Sequence, residues 1–105
     1  MALPNNPIEV TLKILNSKWK FIIIRELLKS DKRFNQLKKD VTGISQKILS
    51  AKLKELEADG FVTKITIEDV TFYRLTDLGL TLKSVIDSLY DWGKDYKKYN
   101  KLLSK

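Results

Sequence analysis

The chain contains no cysteine and no histidine. Those absences exclude disulfides, thiol nucleophiles, thiol redox switches, and every metal site or catalytic triad built on either residue. Only two prolines and four glycines interrupt 105 residues, and no glycine-rich phosphate loop occurs. The longest strongly apolar run, Phe21-Ile22-Ile23-Ile24, is far too short to span a bilayer. The start, MALPNNPIEV, lacks both a basic n-region and an apolar run, so no signal peptide is expected. One carboxylate cluster falls on a predicted helix, Glu55, Glu57 and Asp59. Glu55 and Glu57 are two residues apart and do not share a face, which is the pattern of a solvated surface. No enzyme, cofactor or metal is expected from such a set.

What the chain has is basic charge, unevenly placed. Lys and Arg number 20 against 13 Asp and Glu, a net charge of +7. Between Ser17 and Lys54 there are 11 Lys or Arg and 3 Asp or Glu, a net +8, so the remainder sums to −1. The excess falls at successive predicted helix starts. Ser17 is placed to cap a helix opening Lys18-Trp19-Lys20, and Asn35 to cap one continuing Gln36-Leu37-Lys38-Lys39. Neither first turn holds a carboxylate, although a helix dipole favours acid there. The flanking starts, Pro7-Ile8-Glu9 and Thr76-Asp77, obey the rule. A helix start left positive and polar suits an external anion. The expectation is a polyanionic partner, with Ser17, Lys18, Lys20, Lys38 and Lys39 near phosphates.

The stretch Gly43 to Gly60 carries the sharpest signal. Ser45 caps its start, and Ile44 with Leu49 supplies a hydrophobic staple. Gly60 fits a left-handed C′ position, with Leu56 and Phe61 set for the contact of a Schellman close. Leu49, Leu53 and Leu56 with Ile48 form the expected buried stripe. Gln46, Lys47, Ser50, Ala51 and Lys54 fall on the opposite face. Upstream, helices are predicted over Pro7–Leu15, Lys18–Leu28 and Asn35–Val41. Downstream, Phe61–Ile67 and Thr71–Thr76 alternate with a period of two and are joined by Glu68-Asp69-Val70, a β-hairpin. Helix, short helix, turn, long helix and hairpin is the order of a winged helix-turn-helix. The fold class is therefore mainly α with a small β-hairpin, in one domain over 1–105.

The final segment is a stripe. Leu78, Leu82, Val85, Leu89, Trp92, Tyr96, Tyr99 and Leu103 recur by four and three residues, a heptad-type pattern. It outruns what a small winged helix can cover, and Trp and Tyr are enriched in interface cores. A homodimer seam over Val85, Leu89, Trp92, Tyr96, Tyr99 and Leu103 is expected, joined by Ile8 and Leu12. Gly93 marks a candidate kink or a break between two helices.

Several motifs together resemble the HxlR family of bacterial transcription regulators. They are Asn6-Pro7-Ile8-Glu9, Ser17-Lys18-Trp19-Lys20, Arg33-Phe34-Asn35-Gln36-Leu37, Gly43-Ile44-Ser45-Gln46-Lys47-Ile48-Leu49, Leu53-Lys54-Glu55-Leu56-Glu57-Ala58-Asp59-Gly60 and Tyr73-Arg74-Leu75-Thr76-Asp77-Leu78-Gly79. The likeness runs from about Asn6 to Trp92. It implies a winged-helix DNA-binding protein, related to MarR-type regulators, acting as a homodimer. On that resemblance residues 6–76 form the helix-turn-helix and wing, and 77–104 the C-terminal dimerisation helices. Ser45, Gln46, Lys47 and Ser50 would face base edges, with Ala51 and Lys54 on the same face. Lys18, Arg33, Asn35 and Lys38 would lie nearer phosphates. Two features depart from the family. Asn6 stands where many members carry a cysteine, used in some of them to sense electrophiles or oxidants. The hairpin is short and acidic at its tip, Glu68 and Asp69, which argues against inserting it into a minor groove. Lys64 and Arg74 would reach phosphates from the strands instead. Double-stranded DNA and a second copy of the chain are thus the implied partners, in the cytoplasm and on the nucleoid when DNA-bound. No membrane partner is implied, and the effector is unspecified. The alternative is a winged-helix module that binds protein or RNA.

Overall fold

A computed structural model describes residues 2–104. Four helices come first: α1 (Pro7–Ile14), α2 (Lys18–Lys29), α3 (Phe34–Asp40) and α4 (Gln46–Ala58). The antiparallel hairpin β1 (Val62–Ile67) and β2 (Val70–Leu75) follows, then α5 (Asp77–Leu80) and α6 (Lys83–Leu103). Asn6 caps α1, accepting a hydrogen bond from the Ile8 N–H at 2.9 Å. The Ser17 hydroxyl caps α2 at Trp19 N–H, and the Ser45 hydroxyl caps α4 at Ile48 N–H, both at 3.1 Å. Apolar side chains then decide the packing. Ile23, Ile24 and Leu27 of α2, Leu37 of α3 and Leu49, Leu53 and Leu56 of α4 interlock with Leu75 of β2 and Ile86 of α6.

The close of α4 fixes where the wing begins. Gly60 takes φ +85°, its N–H bonding to the Glu57 carbonyl while the Phe61 N–H bonds to the Leu56 carbonyl. This is the Schellman pair, with Leu56 and Phe61 both buried. The hairpin turn is two residues long. Glu68 and Asp69 have φ of 50° and 66°, so both central residues are left-handed as a type I′ turn demands. Val70 therefore pairs with Ile67 inside the strands and is not part of the turn.

Three expectations are corrected here. Asn35 does not cap α3: the helix starts at Phe34 with Arg33 in the cap position and no side-chain cap bond. Half-buried Phe34 anchors that first turn, and packing outweighs the capping preference of Asn35. Lys38 and Lys39 consequently lie in the last turn of α3, where base is dipole-favourable. Ile48 is 37% exposed, outside the buried stripe. Gly93 neither breaks nor ends a helix, since α6 runs through it, and the interruption lies at Thr81-Leu82 between α5 and α6. One contact was not foreseen: Lys32 and Tyr73 exchange two backbone hydrogen bonds, of 3.1 and 2.7 Å, an isolated antiparallel bridge beside the two-stranded wing.

Candidate nucleic-acid interface

α2, α3 and α4 pack on one another around Leu27, Leu37 and Leu53. Their polar faces look away from that core. On α4, Gln46, Lys47, Ala51 and Lys54 are exposed and Ser50 is half-buried. With the Ile48 N–H taken by Ser45, the amides of Gln46 and Lys47 have no acceptor within the helix. The first turn of α4 contains no carboxylate. It therefore offers two N–H donors and the Lys47 ammonium to an anion or a base edge.

Ion pairing sorts the 11 cations of the Ser17–Lys54 region into two groups. Lys20, Arg25, Lys29, Lys32 and Lys52 lie within 4.0 Å of a carboxylate. Among the described residues Lys18, Arg33, Lys38, Lys39, Lys47 and Lys54 do not, and all six are exposed. The six come from the start of α2, both ends of α3 and the outer face of α4. Asn35 is exposed beside them in the first turn of α3. Ser17 is half-buried, its hydroxyl oxygen occupied by the cap.

Lys20, expected near phosphates, is instead buried. Only 3% of it is exposed. Its ammonium donates to the Ile14 carbonyl at 3.3 Å and sits 3.6 Å from Glu55 and 3.7 Å from Asp59. Part of the inverted charge pattern is therefore internal: an early lysine of α2 meets the late acids of α4. Nothing local in the sequence reveals this pairing, because the partners are 35 and 39 residues apart. The wing cations are also engaged. Arg74 makes two hydrogen bonds to Asp31, at 2.9 and 2.7 Å, which hold its guanidinium charged above the usual arginine range. Lys64 lies 3.9 Å from Glu57. The sequence reading also missed the Lys32 hydrogen bond that holds the Asp40 carboxyl below the usual carboxylate range. Trp19 packs against the core with the Lys18 ammonium 4.5 Å from its ring centre.

The predicted seam residues lie on α1 and α6, outside the α2–α4 cation set. Ile8 and Leu12 on α1 and Val85, Leu89, Trp92, Tyr96, Tyr99 and Leu103 on α6 are all exposed. Trp92 and Tyr96 stack at 5.1 Å between ring centres. α6 is held to the domain on another side, by buried Ile86 and by the Arg25 guanidinium 3.9 Å over the Tyr90 ring. No helix among the described residues is long and apolar enough to cross a membrane.

Comparison with known proteins identifies this architecture. The HxlR-like helix-turn-helix family matches residues 14–101. The chain belongs to the HxlR family. It is 40% identical over 94 residues to the HTH-type transcriptional regulator YdeP of Bacillus subtilis, covering 87% of this chain and 73% of YdeP. Among solved structures, the redox regulator HypR in its reduced form superposes with a TM-score of 0.84 at 31% identity. That match covers 91% of this chain and 98% of HypR. An HxlR-family transcriptional factor of Thermoplasma volcanium superposes at 0.77 and 27%, covering 89% and 86%. The chain is thus a transcriptional regulator with a helix-turn-helix DNA-binding fold of the winged, MarR-like kind.

Proposed function

We propose that this HxlR-family chain acts as a homodimer that reads a palindromic operator, with α4 as the recognition helix. The observation that carries the reading is the sorting of cations. Every exposed Lys or Arg between Lys18 and Lys54 without a carboxylate partner among the described residues comes from the start of α2, the two ends of α3 or the outer face of α4. Paired cations elsewhere neutralise local acids, whereas these six leave their charge to a partner. Ser45, Gln46, Lys47, Ser50, Ala51 and Lys54 face the bases in this reading. Lys18, Arg33, Asn35, Lys38 and Lys39 lie along the phosphates, with Ser17, Lys64 and Arg74 at the edge. Residues 6–76 bind DNA and 77–104 hold the dimer, in the cytoplasm where operator DNA is found. A thiol-based redox response has no residue to act on, because the chain lacks cysteine.

Counterion release supplies the test. Affinity for duplex DNA should fall steeply with salt, with a log–log slope of roughly several units. Lys18→Ala, Arg33→Ala or Lys38→Ala should weaken all duplexes alike and flatten the slope by about one unit each. A slope near zero, or equal retention by competitor RNA, overturns the reading.

A further inference from the structure

Lys20 is the one buried cation of the chain's basic region, and its placement defies local preference at both ends. It occupies the third position of α2, where the helix dipole disfavours positive charge. Glu55 and Asp59 occupy the end of α4, where the dipole disfavours negative charge. Lys20 bridges them and also donates to the Ile14 carbonyl, at the last residue of α1. α1 buries none of its side chains and carries Ile8 and Leu12 of the proposed seam. A cleft lined by Lys13, Asn16, Lys20, Glu55 and Asp59 separates it from α4. The ammonium therefore spans from the seam helix to the helix proposed to read DNA.

We infer that Lys20 is a positioning residue for operator recognition, fixing the orientation of α4 relative to α1 and so to the two-fold axis. The inference rests on the DNA-regulator reading above. Stability alone does not account for the residue, since an apolar side chain of similar volume is commonly as stable as a buried ion pair. What an apolar side chain cannot do is hold a carbonyl of α1 and two carboxylates of α4 in one fixed geometry. Specificity in a dimer depends on that geometry, because each reading helix must meet its half-site at a set separation.

The experiment uses the full chain and the duplex it selects from a random pool, alongside a scrambled duplex and duplexes with half-site spacing altered by one base pair. Lys20→Met should remain folded and lower the ratio of selected to scrambled affinity about tenfold, the scale of effects that act through packed intermediates. It should also tolerate altered spacing better than wild type and keep the wild-type salt slope. Glu55→Gln combined with Asp59→Asn should do the same. Both carboxylates are partly solvent-exposed, so this variant serves where Lys20→Met fails to fold. Wild-type discrimination and spacing preference in the folded variants overturn the inference alone. So does uniform weakening with a flatter slope, which would make Lys20 a phosphate contact. Failure of the wild-type chain to select any duplex overturns the DNA reading together with it.

Discussion

Gln46 and Lys47 open α4 with side chains exposed and no partner among the described residues. A glutamine amide matches the paired donor and acceptor of adenine in the major groove, and a lysine ammonium matches the acceptors of guanine. Gln46→Ala or Lys47→Ala should cost about 1–3 kcal/mol on the selected duplex and little on scrambled DNA. Binding isotherms on the two duplexes check this, and unchanged discrimination in both variants would displace the reading face. Asp40 behaves differently because its role is internal. The Lys32 hydrogen bond, with a second from Gln36, holds its carboxyl below the ordinary range. A depressed carboxylate contributes stability that is fully present above its unfolded value and lost as pH falls through the folded one. Urea unfolding of wild type against Asp40→Asn should give a constant difference from neutrality down to the ordinary aspartate value, about 3.9. Below it the difference should shrink, and a difference indifferent to acid would remove the pair from the stability of the fold.

At the level of elements, α4 was legible from Ser45 to Phe61 because its caps, staple and Schellman close are all local. Each device lies within a few residues of its partner, so sequence spacing alone specifies it. α3 was not, since its start is set by Phe34 docking on a core built by other helices. The bridging of Lys32 to Tyr73 and the burial of Lys20 were invisible for the same reason: their partners lie over 30 residues away. Two glycines divide along this line. Gly79 sits in α5 where an added Cβ would strike the Phe61 carbonyl oxygen, a backbone atom that cannot swing aside. Gly93 lies within α6 with open space around it. Gly79→Ala should therefore destabilise by about 1–3 kcal/mol through overpacking. Gly93→Ala should instead gain roughly 0.5–1 kcal/mol of helix propensity in the isolated chain. Denaturant midpoints for the two variants decide it, and equal shifts would place the α5 contact wrongly.

For the whole molecule, α6 is attached on one side and bare on another. Ile86 and Tyr90 hold it to the domain, while Val85, Leu89, Trp92, Tyr96, Tyr99 and Leu103 run exposed along a different face. An apolar stripe this long on a monomer marks an interaction site, and Ile8 and Leu12 on α1 are exposed as well. In the proposed homodimer a second copy meets the stripe with the same residues, as a two-fold interface requires. The consequence for DNA is geometric. One winged helix covers few base pairs, and its affinity alone would not outcompete non-specific sites. Two recognition helices held about 34–36 Å apart by the proposed dimer would read one palindrome across a helical turn. Trp92→Lys combined with Tyr96→Glu removes the stacked pair from the proposed seam without touching the buried core. The variant should be monomeric in the ultracentrifuge, unfold near the temperature of its core, and keep weak half-site binding while losing tight binding to the palindrome. A wild-type chain monomeric at micromolar concentration would sink the seam. So would a double variant that stays dimeric with full affinity, because the bare face of α6 would then have no part in bringing two reading helices to one operator.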